Sequence, residues 1–340
     1  NVKVQIWKQK EPDRLFRKRL WDQADKHLMT KEEYYLNFPN DMYADEDNEY
    51  KWEKGVQVFT GEFETVKDKD ELAFTTIAQW QTGAYVMEAT TKDKFGEEVK
   101  DVKYFTVYVT PPAPKQFPDE DEYMAQGYQE KKKVPVNTAD WFTTLKMNGE
   151  PGQKASFIIG SKEKDVKVLY EIEHKNEIVK KEWLTLNNEQ KKIEIPIEEK
   201  HRGNFAYHLT FVKNGRAYSH DGTVTVPYTN KELDIQFETF RSKLIPGQKE
   251  EWKIKIKDKK GDKVASEMVA AMYDASLDAF RPNNWYFNIY NTYYAQRSWE
   301  TYPVAKNNSS QIFSKDWNIY SGLKYKYYDR LNWFGYYISH

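Results

Sequence analysis

The sequence predicts an all-β protein of tandem β-sandwich domains, the last of them incomplete, with a short helical insertion in the first. The tetrapeptide Pro-Gly-Gln-Lys occurs at residues 151–154 and again at 246–249, each time before an alternating strand pattern. A second repeat, at 83–96 and 203–215, has a glycine, an aromatic two positions later, an alternating strand and a turn containing glycine. Aromatic residues make up 16% of the chain and charged residues 31%, which is typical of many half-buried strands.

The first domain is predicted at residues 1–110, with an insertion at 11–54. Thr30 and Glu33 have the spacing of a capping box, so we expect a short helix through Leu36. A second helical stretch is expected over 13–21. The alternating patterns predict strands near 2–7, 56–65, 84–92 and 102–109.

A linker is predicted at 111–137, because it opens with the stiff run Pro-Pro-Ala-Pro and continues into an acidic loop. The second domain is then predicted at 138–228. Many short strands with regular turns are typical of a β-sandwich. These strands are expected at 155–160, 166–174, 177–183, 192–197, 206–212 and 223–226.

The third, partial domain is predicted at 229–340. Strands are expected at 233–240, at 252–257 after the second Pro-Gly turn, and at 264–272. No Gly-x-aromatic hairpin follows, so this sandwich is predicted to lack its last strands. Instead, the tail has 18 aromatic residues within 285–337. This tail is interpreted either as packing over the sandwich or as a surface that stacks on ligands.

Composition excludes several functional classes. The 340-residue chain has 52 Lys and Arg against 53 Asp and Glu, which argues against nucleic-acid binding and against a polybasic membrane contact. It has no cysteine, so disulfides, thiolate nucleophiles and cysteine-based zinc sites are excluded within it. No apolar run approaches the ~20 residues that span a bilayer. The sequence suggests no cofactor.

Two short stretches contain chemically interesting residue types, but neither predicts a site. Ser219, His220 and Asp221 are consecutive, and neighbours on a strand point to opposite faces, so they are not expected to converge as a catalytic triad. The run 45–49 is acidic like a calcium loop, yet Tyr50 stands where an EF-hand needs glycine. We therefore expect no catalytic residue and no metal site.

The stretch 233–280 resembles the alpha-2-macroglobulin family, especially its bacterial members. The matching pieces are the turn Pro246-Gly247, Trp252, Gly261 and the run Met272-Tyr-Asp-Ala-Ser-Leu-Asp278. In that family this pattern marks the macroglobulin-like domain that carries a protease-sensitive bait region. The stretches 155–173 and 202–219 resemble the domain just before it, and the stretches 14–39 and 83–109 resemble the one before that. The cysteine of the family's thioester motif is absent here, so the chain is expected to be a middle segment of a longer protein.

The resemblance implies a non-catalytic scaffold segment of a broad-range protease inhibitor, whose partners are target proteases. It also implies a periplasmic or cell-surface location. The bait is expected either beyond residue 340 or in the polar, protease-sensitive loop Lys306, Asn307, Asn308, Ser309 and Ser310. The alternative is a cell-surface β-sandwich module that binds glycans or protein partners through the aromatic tail.

Overall fold

The computed structural model shows an all-β chain of antiparallel sheets, as predicted. It describes residues 1–17, 19–20, 23, 25–65, 73–111, 132–239, 245, 247–258, 268, 275–280 and 290–299. All of these residues belong to one compact unit, Asn1–Thr301. The predicted domain boundaries and the linker at 111–137 stay predictions.

The first sheet has four strands in the order β2-β1-β3-β4. Its fully buried centre consists of Val4, Ile6 and Tyr85, with half-buried apolar residues around them. β3 and β4 form the predicted glycine-led hairpin, paired from Gly83–Val107 to Lys92–Glu98. The strands are β1 (Val2–Gln9), β2 (Lys54–Phe63), β3 (Gly83–Lys92) and β4 (Glu98–Val107).

In its described residues, the insertion that joins β1 to β2 contains one α-helix, α1 (Lys31–Asn37). Thr30 and Glu33 form the predicted capping box, since the Thr30 side chain accepts the Glu33 N–H and the Glu33 carboxylate accepts the Thr30 N–H. The helix predicted over 13–21 is wrong for its described residues, which are not helical. Their hydrogen bonds go elsewhere: the Arg17 N–H donates to Asn40 O.

Residues 141–224 form a two-sheet sandwich, which we call the central sandwich. One sheet has the strand order β11-β10-β7-β8 and the other β5-β6-β9. Both contribute to a single core that includes Phe157, Tyr170 and Tyr207. The strands are β5 (Trp141–Lys146), β6 (Lys154–Ser161), β7 (Val166–His174), β8 (Glu177–Leu186), β9 (Glu189–Pro196), β10 (Phe205–Lys213) and β11 (Arg216–Val224).

The doubled Pro-Gly-Gln-Lys motif forms the same turn twice. Gly152 and Gly247 have φ of +91° and +83°, and the residue after each donates its N–H to the carbonyl three residues back. A positive φ at the glycine and this closing hydrogen bond are both features of the predicted type II turn. The sequence did not indicate the role of the glutamine. The Oε1 atoms of Gln153 and Gln248 each accept the N–H of the residue that opens the turn, at 3.3 and 3.2 Å.

The second turn lies between β12 (Leu233–Thr239) and β13 (Lys253–Asp258), which pair as an antiparallel hairpin. Ile235 pairs with Ile256 and Phe237 with Ile254, so one face of the hairpin is apolar. The strand predicted at 264–272 and most of the aromatic tail lie outside the described residues. Short 3₁₀ turns occur at Glu49–Lys51, Ile77–Gln79, Glu199–His201, Thr229–Lys231 and Ala275–Ala279.

The insertion also contacts the central sandwich. The Glu11 carboxylate accepts the N–H of Ala84 on the first sheet and that of Asn137 beside the sandwich. Arg17 pairs with Asp41 inside the insertion and donates to Asn214 O in the β10–β11 turn, at 2.9 Å. The insertion therefore braces the first sheet against the sandwich, and we call it the brace.

Candidate functional site

A short segment without regular secondary structure, residues 290–299, lies on the outer face of sheet β11-β10-β7-β8, and we call it the strap. Its Tyr293 N–H donates to Gly203 O at 2.7 Å. The Ala295 N–H donates to the Thr223 hydroxyl at 3.3 Å. The sandwich is therefore linked to a part of the chain that lies some 70 residues or more downstream of these acceptors.

Glu173 is the main acceptor for the strap. Its Oε2 atom accepts the N–H groups of Gln296 and Arg297, each at 3.2 Å, and lies 2.8 Å from His208 Nε2. Ile172 faces the core, so Glu173, next along β7, faces the strap. It is only 2% exposed. Burial raises the pKa of Glu173, but these hydrogen bonds outweigh it and the pKa is lowered, so the carboxylate stays charged.

A second carboxylate receives the end of the strap. Trp299 Nε1 donates to Glu171 Oε2 at 3.2 Å, and Lys181 Nζ lies 3.4 Å from Glu171 Oε1. The Trp299 side chain remains 52% exposed. It forms one wall of a cleft of about 680 Å³, whose other lining residues include Ile178, Lys181, His208 and Arg297.

The upstream end of the strap contacts Tyr228, which follows β11, and the turn that precedes β10. The ring of Tyr228 stacks on Tyr290, and the Tyr228 hydroxyl donates to Asn291 O at 3.0 Å. Gly203 has φ of +85°, and a Cβ there would overlap Asn291 O and the Tyr228 ring. Only glycine permits this close approach. The repeated glycine identified in the sequence is thus part of the strap's binding surface.

Two buried histidines lie beneath this end. The rings of His174 and His201 are 5.4 Å apart, edge to face, and the Tyr293 ring is 6.0 Å from His174. Burial lowers the pKa of both histidines, and nearby positive charge lowers it further, so both are neutral at pH 7.

The residues at 219–221 and 45–49, whose types resemble a catalytic triad and a calcium loop, make structural contacts. His220 Nε2 lies 2.6 Å from Asp140 Oδ1 and stacks on Phe142, whereas Ser219 faces Thr210, so the triad residue types do not converge. In the acidic run, Glu46 accepts the Tyr35 hydroxyl and the Ala44 N–H and pairs with Lys31. Against burial, these contacts lower the pKa of Glu46 to about 2.

Within the described ranges, no group of three or more histidine or acidic side chains is placed to hold a metal ion. In that same part of the chain, no helix has the length and apolar character needed to cross a membrane. The predicted protease-sensitive loop, Lys306–Ser310, lies outside the described residues.

Sequence reasoning missed Glu171, Glu173 and His208. The available signal was weak: two acids at alternate positions in the mostly apolar strand Val166–His174, which also contains Lys167 and His174. Outward acids on a strand ordinarily face water. Here a distant segment covers them, and no local pattern indicates that.

No family model matches the chain, and no curated protein sequence matches it. Among solved structures, the chain is similar to the native conformation of alpha-2-macroglobulin from E. coli, at 14% identity and a TM-score of 0.27. The similarity covers 77% of this chain and 14% of that protein, so this chain spans a small part of its length. A TM-score this low does not establish a common arrangement of domains.

Proposed function

We propose that this chain is a non-catalytic scaffold segment of an alpha-2-macroglobulin-like protease trap. Its partners would be target proteases, and its location the periplasm or the cell surface. The sequence resemblance over 233–280 motivates the proposal. The structural observation that best supports it is the strap, an irregular segment held on the central sandwich mainly through its backbone N–H groups.

A protease trap needs a cleavable segment whose backbone is extended and accessible, on a scaffold that resists cleavage itself. The central sandwich suits the scaffold role, because its strands are paired in two sheets over one buried core. The strap ends at Trp299, and the polar run Lys306–Ser310 follows a few residues later in the sequence. Cleavage in that run would leave its upstream end attached to the sandwich.

Limited proteolysis tests this proposal. Proteases of different specificity, at low ratio to the chain, should all cut first within 306–310 or beyond it. Mass spectrometry of the first fragments locates the cut. First cuts inside Lys154–Ser161 or Phe205–Lys213 would contradict a scaffold role, as would hydrolase activity of the purified chain. In the natural protein that contains these residues, a broad-specificity protease should form a stable complex.

One observation favours a second candidate function, a glycan-binding module. The cleft beside Trp299 combines an exposed indole with Lys181 and Arg297, and aromatic faces with hydrogen-bonding neighbours suit sugar rings. Titration with polysaccharides would then change tryptophan fluorescence. Trp299→Ala should abolish this change, and Phe95→Ala, at an exposed turn far along the first sheet, should not. A saturable change without any protease complex would favour this module over the trap.

A further inference from the structure

The turn beneath the strap requires a neutral histidine. His201 Nδ1 accepts the Glu198 N–H at 3.0 Å, closing the 3₁₀ turn Glu199–His201. A protonated imidazole carries hydrogen on both nitrogens and accepts no hydrogen bond. Protonation at Nδ1 therefore breaks this bond, because the new Nδ1–H and the Glu198 N–H are both donors and point at each other.

The second histidine is equally unsuited to carry a charge. His174 is 8% exposed, and among the described residues its Nε2 atom has no hydrogen-bond partner. As a cation, it would bury an N–H donor without an acceptor. The two rings are only 5.4 Å apart, so a charge on one also opposes a charge on the other.

The charged groups around this pair do not compensate for protonation. Lys175, which follows β7, and Lys200, in the 3₁₀ turn, both disfavour the cationic form of His174, and His174 and Lys200 disfavour that of His201. Glu198 is the one opposing influence on His201, and its carboxylate already pairs with Lys200 at 2.8 Å. The strap contributes the uncharged Tyr293 ring at this end.

The pair is coupled to the strap through the backbone. Gly203, two residues after His201, accepts the Tyr293 N–H, and Asn204 donates its N–H to His201 O. Opening the 198–204 turn therefore moves the Gly203 carbonyl, which accepts the Tyr293 N–H of the strap. At the far end, Glu173 accepts from His208, Gln296 and Arg297, with Glu171 and Lys181 beside it. Those contacts need an ionised carboxylate, which persists to lower pH.

We propose that the strap is an acid-releasable clasp. Protonation of His174 and His201 opens the turn at 198–204 and frees residues 290–299 from the central sandwich. This goes beyond the proposed function and does not depend on it, because it concerns only the docking equilibrium of the strap.

The direction follows from linkage. Both histidines have a lowered pKa when the strap is docked, so the released state binds protons more readily. Docking is fully stabilised above the ordinary histidine pKa of about 6.5 and weakens as the pH falls below it. Glu173 also has a lowered pKa, so it acts in the same direction, but only below about pH 4.5.

Hydrogen exchange read by mass spectrometry tests the clasp on the whole chain. Protection of peptides covering 290–299, corrected for intrinsic exchange rates, should fall by about tenfold or more between pH 7.5 and pH 5. Peptides covering β6 and β9 should keep their protection. The double variant His174→Phe/His201→Gln retains a ring and an acceptor without a titratable group, so its strap should stay protected at pH 5. His27→Phe, at an exposed histidine of the brace, should behave like the wild type.

Three results would overturn the proposal. The first is wild-type protection that is unchanged down to pH 5, which needs no variant and is informative even if the double variant fails to fold. The second is release in the double variant at the wild-type pH. The third is a midpoint of strap release at about pH 4, which would assign the release to protonation of carboxylates. Because no protease is involved, these results do not bear on the trap proposal.

Discussion

The first sheet and the four-stranded sheet of the central sandwich have the same strand order. In each, a late glycine-led hairpin pairs with an earlier hairpin: β4-β3-β1-β2 in one and β11-β10-β7-β8 in the other. They differ in the connection within the earlier hairpin. Lys175 and Asn176, both at positive φ, join β7 to β8, whereas the whole brace joins β1 to β2. One topology thus accommodates either a tight turn or a long insertion.

The two sheets also differ in how they are covered. The sandwich sheet lies against β5-β6-β9 and shares a large buried core with it. In the described part of the chain, the first sheet has no facing sheet, and only Val4, Ile6 and Tyr85 form its fully buried centre. The sandwich is therefore stabilised by its own core, whereas the first sheet depends more on the brace.

The largest effect is expected in the sandwich core. Phe157 is fully buried and contacts the rings of Tyr170 and Tyr207 on the opposite sheet. Phe157→Ala should lower the free energy of unfolding by about 3–5 kcal/mol. Tyr85→Ala should cost less, because half-buried neighbours such as Trp80 and Phe105 can relax into the space. Urea unfolding of both variants measures the difference, and equal losses would contradict the unequal cores.

The next effect concerns the brace. Arg17→Ala leaves the Asp41 carboxylate, largely buried, without its main partner and removes the bond to Asn214 O. We expect a loss of about 1–3 kcal/mol and separate melting of the first sheet and the sandwich. Lys10→Ala is the matched control, since its pair with Glu53 is exposed to solvent and should contribute little to stability. Calorimetry that shows one unchanged transition for Arg17→Ala would refute the brace.

The repeated hairpin glycines offer a third contrast. Gly203→Ala strains the backbone and pushes against Asn291 O, so we expect a loss of about 1–2 kcal/mol and faster hydrogen exchange across 290–299. Gly83 is also at positive φ, but a Cβ there would meet the ends of the Lys8 and Glu11 side chains and no part of the strap. Gly83→Ala should therefore leave exchange in the strap unchanged. Faster strap exchange in both variants would contradict a specific contact at Gly203.

The smallest effects are expected at the doubled turn. Gln153→Ala and Gln248→Ala each remove one hydrogen bond to the turn's opening N–H, at a cost of about 0.5–1.5 kcal/mol. Gln153 should lie at the upper end, because it also accepts from Lys146 Nζ at 2.9 Å. Thermal unfolding of both variants compares them. A cost confined to one variant would show that the two turns are not equivalent.

The sequence predicted the parts of the fold that depend on local chemistry. Alternation predicted β7 at its observed bounds, and the capping box predicted α1. The two Pro-Gly pairs predicted turns, and both glycines have the positive φ expected there. It missed β5, because the run Trp141–Lys146 has two adjacent threonines and no clear alternation. The helix expected over 13–21 failed because contacts across the brace, such as Arg17 with Asp41, override local propensity.

The candidate site was largely beyond sequence reasoning. Gly203 was identified as a hairpin glycine, but its contact with Asn291 depends on a segment far along the chain. Glu173 is buried by residues 296–297, more than 120 positions away. Alternation predicts which face of a strand a side chain occupies. It does not predict what a distant segment will lay over that face.

The glutamine of the Pro-Gly-Gln-Lys turn allows that turn to close through local bonds. The backbone bond and the side-chain bond that close it both join residues no more than three positions apart, at 150–153 and again at 245–248. Neither of these two bonds involves the sheet that follows. In the first copy, two further bonds do involve a neighbouring strand end, since the Gly152 N–H donates to Ile197 O and the Ile197 N–H donates to Gln153 O. Copied before an unrelated strand, the tetrapeptide and the residue before it should therefore still close the turn, whereas a partner like Ile197 would have to be supplied by the new host.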